Sequence, residues 1–167
     1  MDRSGTALAP RGILRTDAAA ATRAVGRRLG AAAGPGTYLA LTGPLGAGKT
    51  QLAKGVAEGL GVESVVNSPT FVLMNEHVGR LRLFHVDAYR LDDPAQGLAA
   101  GLIDERGLSG VTVIEWADRL DGWLPDDRLD LDLAFDPADD ERRTIRWRAH
   151  GTAHATLAAE ALGSGDG

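Results

Sequence analysis

An α/β fold, three layers deep around a mostly parallel central sheet with antiparallel additions, is predicted by three features of the sequence. The apolar run "TYLALTG" leads into the glycine-rich stretch "GPLGAGKT", and then into a segment in which Leu52, Ala53, Val56, Ala57 and Leu60 recur at helical spacing. Two further apolar runs, "LFHVD" and "VTVIE", each close on one acid, and the second is β-branched like a strand buried on both faces. The C-terminal part alternates instead: "LDLDLAF" and "TIRWRAHG" place Leu129, Leu131, Leu133, Ile145 and Trp147 on one side. The opposite side then carries Asp130, Asp132, Arg146 and Arg148, read first as a solvated face.

Taken in order, the elements begin with a helix over Asp17 to Gly34, capped by Asp17, with Val25 and Leu29 on one face and Gly34-Pro35-Gly36 ending it. The strand "TYLALTG", residues 37–43, and the helix Thr50 to Leu60 follow, with the glycine loop between them. "FVLMNEHVGRLRLFHVD" reads as a hairpin hinged near Gly79. Next come a helix-like but glycine-broken stretch, "DPAQGLAAGLIDERGLSG", and the strand "VTVIEW". The two alternating strands, joined by the charged turn "DPADDERR", and a short alanine-rich helix complete the chain. A length of 167 residues suits one domain. Residues 17–162 are assigned to it, leaving tails at 1–16, given no role, and 163–167.

Composition narrows the function classes. With no cysteine there is neither a disulfide nor a thiolate metal site, which fits a cytoplasmic setting. The N-terminus lacks the apolar stretch of a signal peptide, and no run has the length of a membrane span. A net charge of -5 gives no basic footprint for autonomous nucleic-acid binding, so any RNA contact is expected to be shared with a partner.

The glycine loop carries the strongest chemistry. Gly43, four residues, then Gly48-Lys49-Thr50 is the spacing of a phosphate loop, and the strand before and helix after supply its context. Glycines at 43, 46 and 48 let backbone N–H groups turn inward, beside the positive end of the following helix. The expected nucleotide-binding residues are Gly43, Leu45, Gly46, Ala47, Gly48, Lys49, Thr50 and Gln51. Lys49 is expected on the β and γ oxygens of a triphosphate, and the Thr50 hydroxyl at a magnesium ion.

Magnesium needs further oxygen ligands, and the acids at the strand ends offer them. Glu115 is the choice for the metal shell, with Asp87 a second acid able to order magnesium water or the attacking water; the competing reading of each is a carboxylate capping a following helix. His85 shares the strand face of Asp87 and is a secondary candidate, since a lone histidine is more often structural. In "SPTF", Ser68 and Thr70 either sense the γ-phosphate in a switch loop or form a Ser-Pro turn opening a strand. Trp116 is either core packing or a lid over the nucleotide. His150 and His154, four apart, could meet on a helix but lack a third zinc ligand.

The series "GPLGAGKT", "SPTF", "HVDAYRL" and "VIEW", in this order and at these separations, resembles the TsaE (YjeE) family, over roughly Asp17 to Gly151. The resemblance implies an ATPase of bacterial threonylcarbamoyladenosine tRNA modification, with ATP and Mg2+ as cofactors. Lys49 and Thr50 would be the nucleotide and magnesium residues, Thr70 part of the first switch-like loop, Asp87 a functional acid, and Glu115 with Trp116 a Walker B-like pair. It further implies that the chain binds TsaB and TsaD, meets tRNA only through that complex, and resets it by hydrolysis between rounds of transfer to adenosine 37 of tRNAs reading ANN codons. TsaD would perform the transfer itself. Pro44, Gln51 and Ala88 depart from the residues common in the family, and none of the three is a catalytic group.

Two other classes compete. A small-molecule kinase needs an acceptor pocket and an arginine-bearing lid, whereas the arginines of "RRTIRWR" lie in an alternating strand. A nucleotide-gated binding module without turnover would need no water-ordering acid, and here there are two candidates. A GTPase is disfavoured because no Asn-Lys-x-Asp motif occurs.

Overall fold

The computed structural model describes residues 9–64, 66, 74–89, 109–120 and 122–163. The chain runs β1 (Arg11–Thr16), α1 (Ala19–Ala32), β2 (Thr37–Thr42), α2 (Lys49–Gly59), β3 (Met74–Val78), β4 (Arg82–Asp87), β5 (Val111–Glu115), a 3-10 turn (Ala117–Leu120), β6 (Arg128–Asp136), β7 (Asp139–His150) and α3 (Thr152–Leu162). The strands form one sheet in the order β1-β7-β6-β2-β5-β4-β3. Its centre, β6-β2-β5-β4, is parallel; β3 adds antiparallel at one side, and β7 and β1 at the other. The expected α/β architecture is therefore the observed one.

Burial on both faces explains why the central strands are continuously apolar. Leu39, Leu41, Leu83, Val111 and Val113 face a core shared with α1, α2 and α3, while Tyr38, Ala40, Val86 and Ile114 face a smaller one closed by Ala117 and Leu120 of the 3-10 turn. The alternating strands also behave as expected, with Leu129, Leu131, Leu133 and Ile145 fully buried. Among the described residues no helix is long and apolar enough to cross a membrane.

Four details differ from the sequence reading. Residues 11–16, left in the tail, form β1, paired along its length with Arg143–Arg148 of β7 and so covering an edge that would otherwise carry unpaired backbone groups. Asp17 does not cap α1: the N-cap is Ala18, whose carbonyl receives the N–H groups of Ala21 and Thr22 with no side-chain cap. The charged turn is shorter than expected, because β6 runs to Asp136 and β7 starts at Asp139, with a register irregularity at Phe135/Asp136. His150 and His154 do not share a helix; His150 ends β7 and bonds Asp130, whereas His154 in α3 accepts the Tyr38 backbone N–H at 3.0 Å. The helix expected after residue 93, like Ser68 and Thr70, falls outside the described residues.

Close approach of α1 and α2 sets the depth at which α2 meets the sheet. Gly26 and Gly30 on α1 oppose Gly55 and Gly59 on α2, each one turn apart, and a Cβ on any of them would collide with a backbone carbonyl across the interface: Leu52, Val56, Arg23 and Arg27 respectively. Arg23 and Arg27 of α1 hold Glu58 of α2 alongside. Arg80, just after β3, donates to the carbonyls of Gly30 and Ala33, both at 2.9 Å, placing a cation at the C-terminal end of α1.

Gly55→Ala is expected to destabilise the protein by about 1–3 kcal/mol through overpacking, despite a gain of about 1 kcal/mol in helix propensity. Gly34→Ala, where an added Cβ meets nothing within 4 Å, should stay within about 0.5 kcal/mol. Thermal unfolding followed by circular dichroism checks both.

Candidate nucleotide-binding site

Parallel strands deliver the site. Leu41 at the end of β2 is in register with Glu115 of β5, which is in register with Asp87 of β4, so the glycine loop and both acids emerge at one edge of the sheet. That C-terminal edge is where open parallel sheets hold ligands. A cavity of about 440 Å³ opens there, lined by Leu45, Gly46, Gly48, Lys49, Thr50, Gln51, Asp87, Glu115 and Trp116 among others. Of the remaining expected residues, Ala47 is fully buried inside the loop and Gly43 lies against the Leu133 carbonyl, where a Cβ could not fit. Thr70 is not among the described residues. A slightly larger concavity, about 480 Å³, lies between β1, β6 and β7 around Arg11, Arg146 and Arg148. It lacks a phosphate-binding loop, so size does not decide between the two.

Backbone conformation shapes the loop. Gly43 has φ 134° and Gly48, the N-cap of α2, has φ 107°, both in the region that side-chain-bearing residues avoid. The chain can thereby turn from β2 directly into α2, whose first turn begins at Lys49 and directs the positive helix end at the cavity.

Lys49 is 5% exposed, and its Nζ donates to the carbonyls of Gly43 at 2.6 Å and Pro44 at 2.8 Å. The same Nζ stands 4.0 Å from the centre of the Trp116 ring. Burial pulls the Lys49 pKa below its usual range, and the nearby carboxylates of Glu115, Asp118, Asp87 and Asp132 oppose that fall. Trp116 adopts φ 60°, the only positive φ of a non-glycine residue among those described. Its ring packs on the smaller core, as one of the two roles considered for it requires, meets Tyr89 at 4.8 Å and lies over Lys49. A strained backbone at a residue lining the cavity is the kind of outlier that points to a functional constraint.

Glu115, 2% exposed, accepts a hydrogen bond from the Thr50 hydroxyl at 2.9 Å through Oε1, and its Oε2 lies 2.6 Å from His85 Nε2. Asp87 is half-buried and accepts the Tyr89 N–H at 2.9 Å. Burial pushes the Asp87 carboxyl above its ordinary range; the Tyr89 hydrogen bond opposes this, and the Glu115 charge adds to it.

The oxygens present fit a small hard cation. Adjacent ligands of an octahedral magnesium at about 2.1 Å stand about 3 Å apart, close to the Thr50–Glu115 separation of 2.9 Å. Magnesium also tolerates few protein ligands, taking the rest from water and phosphate, which suits a hydroxyl beside one or two carboxylates.

A family model for "Threonylcarbamoyl adenosine biosynthesis protein TsaE" matches residues 16–145. The chain belongs to the TsaE family. Among its relatives, the tRNA threonylcarbamoyladenosine biosynthesis protein TsaE of Bacillus subtilis (strain 168) is 41% identical over 140 residues, spanning 83% of this chain and 86% of that one. The protein of the same name from Streptomyces coelicolor is 38% identical, over 84% of this chain and 98% of its own. The crystal structure of Bacillus subtilis YdiB superposes with a TM-score of 0.79 at 33% identity, covering 94% of this chain and 97% of that one. In this TsaE chain, sequence reasoning had ranked His85 second to the acids, and the structure puts it in direct contact with Glu115. Its place two residues before Asp87 puts it on the strand face of that acid, but the contact with Glu115 depends on β4 and β5 being neighbours.

Asp87 has a testable pH signature. A carboxyl whose folded pKa is raised binds protons more readily when folded, so its contribution to stability falls as pH rises from 3.8 through the folded value. Asp87→Asn should therefore raise the melting temperature at pH 7, with the gain vanishing below pH 3.8. Melting curves of the nucleotide-free protein across pH provide the check.

Proposed function

We propose that this TsaE-family protein is a magnesium-dependent ATPase that acts with TsaB and TsaD in cytoplasmic threonylcarbamoylation of adenosine 37 in tRNA, its hydrolysis resetting the complex. The observation that carries the ATPase reading is the convergence of Lys49, Thr50 and Glu115 on one cavity at the C-terminal edge of the sheet. The relatives' names, which speak of tRNA threonylcarbamoyladenosine biosynthesis, support the pathway. With a net charge of -5, the chain is suited to meeting tRNA through its partners.

The residues divide the work. Loop N–H groups from Leu45 to Gln51 and the start of α2 cradle the phosphates, and Lys49 exchanges the Gly43 and Pro44 carbonyls for β and γ oxygens. Thr50 and Glu115 hold magnesium, which when bound neutralises charge developing on the phosphates. Asp87, poised at the same edge, orders the attacking water, and Trp116 shields Lys49 from solvent. Thr70 serves the switch-like loop that reports the γ-phosphate to the partners.

Lys49→Ala should weaken ATP binding at least tenfold. Glu115→Gln should keep nucleotide affinity measured in EDTA within a few-fold and lower turnover at least 100-fold. Fluorescent-nucleotide titration and phosphate release in the presence of TsaB and TsaD measure the two. Binding and turnover left unchanged in both variants would sink the assignment.

A further inference from the structure

We infer that His85 is a positioning residue for the metal-holding carboxylate: by donating from Nε2 to Glu115 Oε2, it fixes Oε1 toward Thr50 and so sets how strongly magnesium tightens nucleotide binding. The inference rests on the nucleotide-site reading above and deepens it.

Glu115 is buried, and a buried carboxylate is stable as an anion only when its oxygens are satisfied. Each oxygen has its own contact: Oε1 the Thr50 hydroxyl at 2.9 Å, Oε2 the His85 ring at 2.6 Å. The His85 contact fixes which of the two oxygens of the carboxylate is turned away from Thr50. The ring that holds it has little freedom. His85 is fully buried and sits within the sheet, in register with Asn75 on β3 and Val113 on β5. This is how outer groups tune metal sites, by holding a ligand in its working orientation.

The geometry separates this role from two others. As a proton-transfer group His85 would need an open nitrogen, but Nε2 faces Glu115 and Nδ1 is buried, outside the residues that line the cavity. As mere packing it would be a poor choice, because among the described residues Nδ1 has no hydrogen-bond partner, and a leucine or phenylalanine would fill the space without a stranded polar atom. The Nε2 contact with Glu115 offsets the cost of the unpaired Nδ1.

The experiment compares ATP affinity in excess magnesium with affinity in EDTA, by fluorescent-nucleotide titration of the full chain, and then the magnesium needed for half-maximal phosphate release with TsaB and TsaD. His85→Phe removes the donor at similar size, and His85→Asn is too short to reach Glu115; His85→Gln can restore an N–H near Nε2. The first two should cut the magnesium enhancement of affinity about tenfold, leave affinity in EDTA within twofold, and raise the half-saturating magnesium about tenfold or more. The glutamine variant should recover much of both. Should His85→Phe fail to fold, His85→Asn against His85→Gln decides the matter. Wild-type magnesium dependence in a folded donor-less variant, an equal loss in EDTA, or no recovery in the glutamine variant overturns this inference alone. No magnesium-dependent nucleotide binding by the wild type overturns the functional reading and this inference with it.

Discussion

The hydrogen bond between Thr50 and Glu115 joins two parts of the chain that the fold must deliver independently. Thr50 arrives on the first turn of α2, immediately after the glycine loop, while Glu115 arrives at the end of β5, 65 residues later. Their meeting at 2.9 Å requires that β2 and β5 be adjacent, parallel and in the observed register, with Leu41 beside Glu115. A slip of one residue would turn the Glu115 side chain to the other face of the sheet, away from α2. The apolar continuity of β2 and β5, which locks them between two cores, is thus what fixes the chemistry at their ends.

The helix side of that contact is fixed by α1. The glycines at 26, 30, 55 and 59 let the two helix backbones touch, so the position of α2 is set by main-chain atoms rather than by adaptable side chains. Glycine in a helix interior costs about 1 kcal/mol relative to alanine, and four of them form a considerable local sacrifice. It gains a rigid seat for the first turn of α2, which carries Lys49 and Thr50.

Legibility in the sequence followed the range of the signal. The glycine loop, the strand-ending acids and the alternating tail strands are local patterns, and Gly48, Lys49, Thr50, Asp87 and Glu115 all line the cavity as their spacing suggested. What the sequence did not reveal depends on distant partners. "RGILRT" is short and half polar, and only the free edge of β7, more than 100 residues later, makes it a strand. Asp17 has the right chemistry for a cap, but the chain leaving β1 places Ala18 at the N-cap instead. The His85–Glu115 contact could be guessed only once β4 and β5 were known to be neighbours, since nothing local distinguishes a buried histidine that orients a carboxylate from one that fills a core.

Several uncomfortable groups of the described structure gather where β2, β4 and β5 end, although buried unpaired polar atoms also occur at Tyr38, His77 and His154. Lys49 is buried with its pKa depressed, the Asp87 carboxyl is pushed up by burial, Trp116 holds a left-handed backbone, and His85 keeps an unpaired nitrogen. Each would be relieved by a conservative substitution, so the optimum for folding lies elsewhere. Their discomforts have complementary remedies. An anion beside Lys49 would favour its charged form and a cation beside Asp87 would favour its carboxylate, so two bound ions of opposite sign would relax both ends of the cavity together. Under the function proposed above, a cavity built in this way would gain more from a metal–nucleotide complex than from either component alone.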